Sequence, residues 1–129
     1  MAWIYEQATG KLWRNGFNVD TGYAGCGDGK NNCAMQDEHN VGPLPVGKYT
    51  IEAPHDTKKH GPYAMVLTPD PANKMFGRSG FMIHGDSMHN PGHASEGCII
   101  LAGATRKMIW GSLDHDLEVV AKRETEIPT

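Results

Sequence analysis

Short apolar runs, separated by polar segments rich in glycine and proline, constrain the fold of this chain more than any other feature. The 129 residues include 16 glycines and 8 prolines, which favour turns and interrupt helices and strands. The apolar runs between them have the length of strands rather than of helices. The pattern therefore predicts a mostly β domain with short elements.

The positions of these runs predict a series of strands and one short helix. The predicted strands are Trp3–Glu6, Lys11–Arg14, Phe17–Asp20, Lys48–Glu52, Tyr63–Thr68, Phe81–His84, Cys98–Leu101 and Leu117–Lys122. The pair Asn15-Gly16 is typical of a two-residue hairpin turn, and apolar periodicity favours a helix at about residues 104–112. We expect a β-sandwich or open barrel of antiparallel strands, with residues 1–123 as a single domain and 124–129 as a C-terminal tail.

Charge and hydropathy exclude several classes of partner. Lys and Arg number 12 and Asp and Glu 15, a formal charge of −3, so nucleic acid is not an expected partner. No apolar run approaches the length needed to span a bilayer, so no membrane span is predicted. The first residues lack the basic and apolar regions of a signal peptide. We therefore expect synthesis in the cytoplasm, and a route other than general secretion if the protein works elsewhere.

Three cysteines offer two arrangements. Cys26 and Cys33 lie in a glycine-rich loop that could close a small disulfide ring, which would leave Cys98 as a lone thiol. The alternative is that all three stay reduced.

The best candidates for catalysis are His84 and Cys98. One apolar run ends at His84 and the next begins at Cys98, so adjacent strands would place the two side chains together. A free thiol has a pKa of about 8.5, and a neighbouring imidazole lowers it and accepts the proton. Gly97 allows close approach of the backbone, so the N–H groups of Gly97 and Cys98 could stabilise an oxyanion.

Other interpretations of the same residues stay open. Cys98 could be a small buried residue, and the histidines could be ordinary loop residues. His84, His89, His93 and Cys98 could also bind zinc, but their spacing matches no standard structural zinc site. No metal or other cofactor is predicted.

Several motifs resemble those of a known family. The pattern His84-Gly85-Asp86 followed by Ser95-x-Gly97-Cys98 resembles the active-site signature of L,D-transpeptidases. Further motifs resemble the Tlde1-type domain, found in L,D-transpeptidase-like effectors of type VI secretion. They are Trp3-x-Tyr5, Thr9-Gly10-x-Leu12, Gly22-Tyr23-x-Gly25, Lys30-Asn31-Asn32, Gly42-Pro43-x-Pro45-x-Gly47-x-Tyr49 and Phe76-Gly77-Arg78. The resemblance covers about residues 2–121.

The resemblance implies a function. Cys98 would be the nucleophile and His84 the base of an enzyme that forms a thioacyl intermediate on peptidoglycan stem peptides after meso-diaminopimelate. It would remove the terminal D-amino acid or exchange it. The protein would be an antibacterial toxin that acts in the periplasm of a target bacterium, with the secretion apparatus and a cognate periplasmic immunity protein as partners. The alternatives are a non-catalytic peptidoglycan-binding or phage-associated module, or a Cys/His wall amidase or endopeptidase.

The chain departs from the common L,D-transpeptidase motif at two places. Glu96 stands where a histidine usually precedes Gly-Cys, and no arginine follows the cysteine closely. Binding of the substrate carboxylate is therefore unassigned, with Arg78 and Arg106 as candidates. Further residues could support the site, line it or form turns: Tyr23, Asn31, Asn32, Gly85, Asp86 and Ser95.

Overall fold

The computed structural model describes residues 2–123. This part of the chain forms an open ten-stranded sheet and one α-helix. The strands are β1 (Trp3–Glu6), β2 (Lys11–Arg14), β3 (Phe17–Thr21), β4 (Tyr23–Ala24), β5 (Gly47–Ile51), β6 (His55–Thr57), β7 (Gly61–Pro69), β8 (Met82–His84), β9 (Ile99–Ile100) and β10 (Asp116–Val120), and the helix is α1 (Gly103–Gly111). Their order is β3-β2-β1-β10-β5-β7-β8-β9-β4, and β6 pairs with β7 outside this path.

The prediction of a mostly β fold with one short helix is confirmed. Strands β1 and β2 have the predicted bounds, and α1 begins and ends one residue before the predicted range. The sequence did not predict β4 and β6, because strands of two or three residues are too short to show alternation. The predicted tail, residues 124–129, lies outside the described residues.

The expectation that all strands run antiparallel is wrong for two pairs. Strand β1 pairs with β10 in parallel, and β8 pairs with β9 in parallel, while the other pairs are antiparallel. Parallel neighbours need a long connection. Residues 85–98 supply one between β8 and β9 without forming a helix. This loop joins the two strands that carry the candidate catalytic residues.

One apolar core supports the sheet. Its fully buried members include Trp3, Tyr5, Ile83, Ile99 and Ile109, which come from β1, β8, β9 and α1. Ile83 and Ile99 are register partners, so the core fixes the strand pair on which the site is built. Within residues 2–123, no helix combines the length and apolarity that crossing a membrane requires.

Candidate active site

His84 and Cys98 line the same cleft, which has a volume of about 1010 Å³. In the parallel pair β8–β9, Ile83 lies opposite Ile99 and His84 opposite Ile100. Residues that lie opposite each other share a face of the sheet, and so do residues two apart in one strand. Cys98 precedes β9 and is two residues from Ile100, so this register places it on the same face as His84, and both residues line the cleft.

The imidazole of His84 is fixed with one nitrogen free. The side chain is 2% exposed, and its Nδ1 lies 2.9 Å from the carbonyl oxygen of Gly85. A carbonyl can only accept, so Nδ1 carries the proton and Nε2 holds the lone pair. Among the described residues, the buried Nε2 has no hydrogen-bond partner. Nε2 can therefore accept a hydrogen bond from a donor that enters the cleft.

The electrostatic environment keeps His84 neutral. Burial lowers the pKa of His84, and the charges of His60 and Arg106 lower it further, whereas the bond to Gly85 opposes the shift. The ring of His60 packs against that of His84, with centroids 4.3 Å apart. His60 was not predicted as a site residue; it ends the basic run Lys58-Lys59-His60 in the turn between β6 and β7. That run lines the cleft.

Cys98 is a half-buried thiol that is not ionised by its surroundings. Its Sγ lies 4.0 Å from the carbonyl oxygen of Gly80 and makes no hydrogen bond to His84 Nε2. Burial raises the pKa of the Cys98 thiol, against the opposing effects of the Met82 N–H and of nearby positive charge. The expected lowering of this pKa by an imidazole is therefore not found. At neutral pH the cleft is therefore lined by a protonated thiol and a neutral imidazole.

Ser95 fixes the backbone around the cysteine. Its buried hydroxyl donates to the Cys98 carbonyl at 2.6 Å and accepts from the N–H groups of Gly25 and Gly97 at 2.8 and 3.0 Å. Ser95 thus serves the loop rather than a substrate. The N–H groups of Gly97 and Cys98 were the two predicted donors to an oxyanion. Because the Gly97 N–H donates to Ser95, only the Cys98 N–H of these two is left for that role.

Gly97 has a geometric reason to be glycine. Its φ is +142°, and a Cβ at this position would lie 2.7 Å from both Arg78 Nη2 and a ring carbon of Phe81. Any side chain at this position would therefore displace Arg78 or Phe81.

Asp86 and Tyr23 hold the loop between the two candidate catalytic residues. The Tyr23 hydroxyl donates to Asp86 at 2.6 Å and accepts from the Ala94 N–H at 2.9 Å. Asp86 also accepts from the N–H groups of Ser87 and Gly92. Burial opposes ionisation of Asp86, but these hydrogen bonds outweigh it and lower its pKa. Asp86 is thus a loop clamp and makes no hydrogen bond to His84 within the described residues.

The pKa of Tyr23 is raised to about 12, by burial and then by its bond to Asp86. The phenol therefore stays protonated and keeps donating to the carboxylate at neutral pH.

Asn31 and Asn32 form turns away from the cleft. Asn31 has a positive φ of 53° and accepts from the Ala24 N–H, while Asn32 caps the short 3-10 turn Cys33–Met35 through the Ala34 N–H. Neither side chain lines the cleft. Of the alternatives given for these two residues, the structure shows turn formation.

Cys26 and Cys33 are free thiols in the structure, like Cys98. The Sγ of Cys26 donates to the Asn40 carbonyl at 3.3 Å. Their disulfide stays a prediction.

The two candidate arginines line the cleft but differ in their free donors. Arg78 donates to four backbone carbonyls, those of Gln36, Gly42, Pro43 and Glu96. Arg106 uses Nε and Nη1 for three carbonyls. Arg78 is therefore a structural clamp, whereas Arg106 keeps one nitrogen available.

Metal ligation finds no support in the geometry. Among residues 2–123, no group of three or more His, Cys, Asp and Glu side chains is arranged to hold a metal ion. His89 and His93 line the cleft as exposed loop residues.

Comparison with known proteins gives one result at the level of family. No curated protein matches the chain. The sequence model of the Tlde1 domain matches residues 18–123, which is most of the chain. Both His84 and Cys98 lie within the matched range. The chain therefore belongs to the Tlde1 domain family.

Proposed function

We propose that this protein is a cysteine enzyme that modifies peptidoglycan stem peptides. It would act as an L,D-carboxypeptidase on tetrapeptides, or exchange their terminal D-amino acid, through a thioacyl intermediate on Cys98. The observation that carries this proposal is the unpartnered, buried Nε2 of His84, which lines one cleft with a half-buried thiol. Family membership supports the same class of substrate.

The first chemical step is thiol addition to a carbonyl. The Cys98 proton passes to His84 Nε2 as the sulfur attacks the carbonyl carbon of the L-centre of meso-diaminopimelate. Because both groups are neutral at rest, proton transfer accompanies the attack instead of preceding it. The oxygen of the tetrahedral intermediate carries the negative charge, and the Cys98 N–H is the nearest candidate donor for it.

The second step breaks the peptide bond. The C–N bond cleaves, and the imidazolium of His84 gives its proton to the departing amine of the D-amino acid. A thioester remains on Cys98. Water then attacks the thioester with His84 as base and releases the tripeptide and the free thiol, or the amine of a second D-amino acid attacks and completes an exchange.

The charge of the cleft supports an anionic substrate. The whole chain has a formal charge of −3, but the cleft is richer in basic side chains than in acidic ones. Its basic residues are Lys58, Lys59, Arg78 and Arg106, and its acidic residues are Asp86 and Glu96. A stem peptide carries several carboxylates, which such a cleft would attract.

Family membership also supports a biological setting. We propose that the protein is an antibacterial effector of type VI secretion, exported to the periplasm of a target cell, where the stem peptides are accessible. The producing cell would then need a periplasmic immunity protein that covers or blocks this cleft.

The proposed function is tested by mass spectrometry of purified muropeptides after incubation with the protein. Loss of the terminal D-Ala from tetrapeptides is expected, or its replacement when another D-amino acid is supplied. Intact stems would favour a binding module, and cleavage of a different bond would favour an amidase or endopeptidase. Cys98→Ala should abolish turnover, because the acyl-enzyme cannot form.

Matched variants separate the assigned residues from their neighbours. Cys33→Ala removes a thiol outside the cleft and should keep full activity. His84→Ala should lose most activity, whereas His89→Ala and His93→Ala should lose little, because these rings lie in the exposed part of the loop. Normal turnover in His84→Ala together with collapse in either of the other two would assign the base elsewhere.

A further inference from the structure

Arg106 is a buried cation whose guanidinium is fixed but not fully used. The side chain is 8% exposed and projects from α1. Its Nε donates to the Leu101 carbonyl at 3.1 Å, and Nη1 donates to the carbonyls of Pro62 and Tyr63 at 2.7 and 3.1 Å. These bonds hold the planar group in place. Within residues 2–123, Nη2 has no hydrogen-bond acceptor and Arg106 has no carboxylate partner.

The free nitrogen lies on the histidine side of the cleft. Nη2 is so close to Gly85 that a Cβ on this glycine would lie 2.7 Å from it. Gly85 is the residue that fixes the His84 ring, and both residues line the cleft together with Arg106. Arg78, by contrast, packs against Gly97 on the cysteine side and donates to four carbonyls.

The proposed reaction places a carboxylate on that same side. The departing amine must lie at His84 Nε2 to receive its proton. In a chain-terminal amino acid, the α-carboxylate is separated from this nitrogen by one carbon atom. A guanidinium N–H is a strong donor to a carboxylate, particularly where water is largely excluded.

We infer that Nη2 of Arg106 binds the α-carboxylate of the D-amino acid that leaves or enters, an inference that rests on the proposed function. Arg106 would then restrict the enzyme to chain-terminal residues, because an internal residue offers a neutral amide in place of the anion. No arginine follows Cys98 closely in the sequence, and Arg106 would supply the carboxylate contact in its place.

The test compares two substrates in one enzyme. Turnover is measured for a tetrapeptide ending in D-Ala and for the same peptide ending in D-alaninamide. For the wild-type chain we expect kcat/KM to favour the acid by on the order of 10- to 100-fold, the value of a buried charged hydrogen bond. In Arg106→Gln this ratio should fall close to one. In Lys107→Gln, which removes an exposed charge from the same helix, it should stay as in the wild type.

The ratio is independent of the fraction of folded enzyme, so a purely structural role of Arg106 would lower both rates and leave it unchanged. An unchanged ratio in Arg106→Gln overturns the inference. Equal turnover of acid and amide by the wild type overturns it as well, and decides the matter even if Arg106→Gln does not fold. A wild-type enzyme inert towards both substrates would instead refute the proposed function.

Discussion

Arg78 joins two segments that are far apart in sequence, and its removal should destabilise the whole domain. Its guanidinium donates to the carbonyls of Gln36, Pro43, Gly42 and Glu96 at 2.6, 2.8, 2.9 and 3.2 Å. Three of these acceptors belong to the long loop before β5, and the fourth lies in the loop that leads to the nucleophile. We therefore expect Arg78→Met to loosen both loops at once.

The size of the effect follows from the number of bonds. Methionine keeps much of the apolar stem but offers no donor, so four carbonyls lose a charged partner. A hydrogen bond to a charged group contributes about 1.5–3 kcal/mol, but contributions from one group are far from additive. We expect the free energy of unfolding to fall by about 3–5 kcal/mol. Arg78→Lys keeps the charge but not the planar fork, and should cost about 1–3 kcal/mol.

Urea unfolding followed by tryptophan fluorescence measures this loss, with Lys74→Met as the control. Lys74 is an exposed cation in the same segment, and its replacement should change stability by less than about 0.5 kcal/mol. If the free energy of unfolding of Arg78→Met lay within about 1 kcal/mol of the wild-type value, the four hydrogen bonds of Arg78 would not stabilise the two loops as argued.

Three further predictions concern the site and its loops. Because burial lowers the pKa of His84, kcat/KM should be retained as the pH falls to 6.5 and should be lost below it. An acid limb centred above 6.5 would contradict this assignment. Ser95→Ala leaves two buried N–H groups unpaired and should lower the free energy of unfolding by about 2–3 kcal/mol. It should also lower kcat by a larger factor than it raises KM, whereas a loss of stability with normal kcat would argue against a positioning role. Oxidised protein should show one free thiol after denaturation if Cys26 and Cys33 pair, and three would refute the pairing.

The strands that carry the site could be predicted from sequence, but not their direction. Apolar runs located Phe81–His84 and Cys98–Leu101, and β8 and β9 lie within them. Strands of two or three residues contain no signal that distinguishes parallel from antiparallel pairing. Direction is decided by the long connection between them and by burial of Ile83 against Ile99. Both are properties of the tertiary structure.

The roles of side chains that donate to backbone carbonyls of distant residues cannot be predicted from sequence. Arg78 and Arg106 were both candidates for carboxylate binding, and nothing in their local sequence distinguishes them. The difference arises because the acceptors of Arg78 come from 35 to 42 residues earlier and 18 residues later in the chain. The ring of His60, in the β6–β7 turn, likewise packs against a residue that is distant in sequence, His84. A single sequence does not encode such contacts in any local pattern.

The position of Cys98 depends on polar contacts more than on packing. In most parallel strand pairs a helix forms the crossover and packs on the sheet, whereas here residues 85–98 form an irregular loop. Tyr23 and Asp86 connect its first residues to Gly92 and Ala94, and Ser95 fixes the residues around Cys98. Each of these side chains contacts backbone groups within the loop, so their replacement removes geometric precision before it removes the fold. In the proposed reaction these contacts would hold the Cys98 thiol in place until a substrate carbonyl is bound, because proton transfer from the neutral thiol to the neutral imidazole accompanies the attack on that carbonyl.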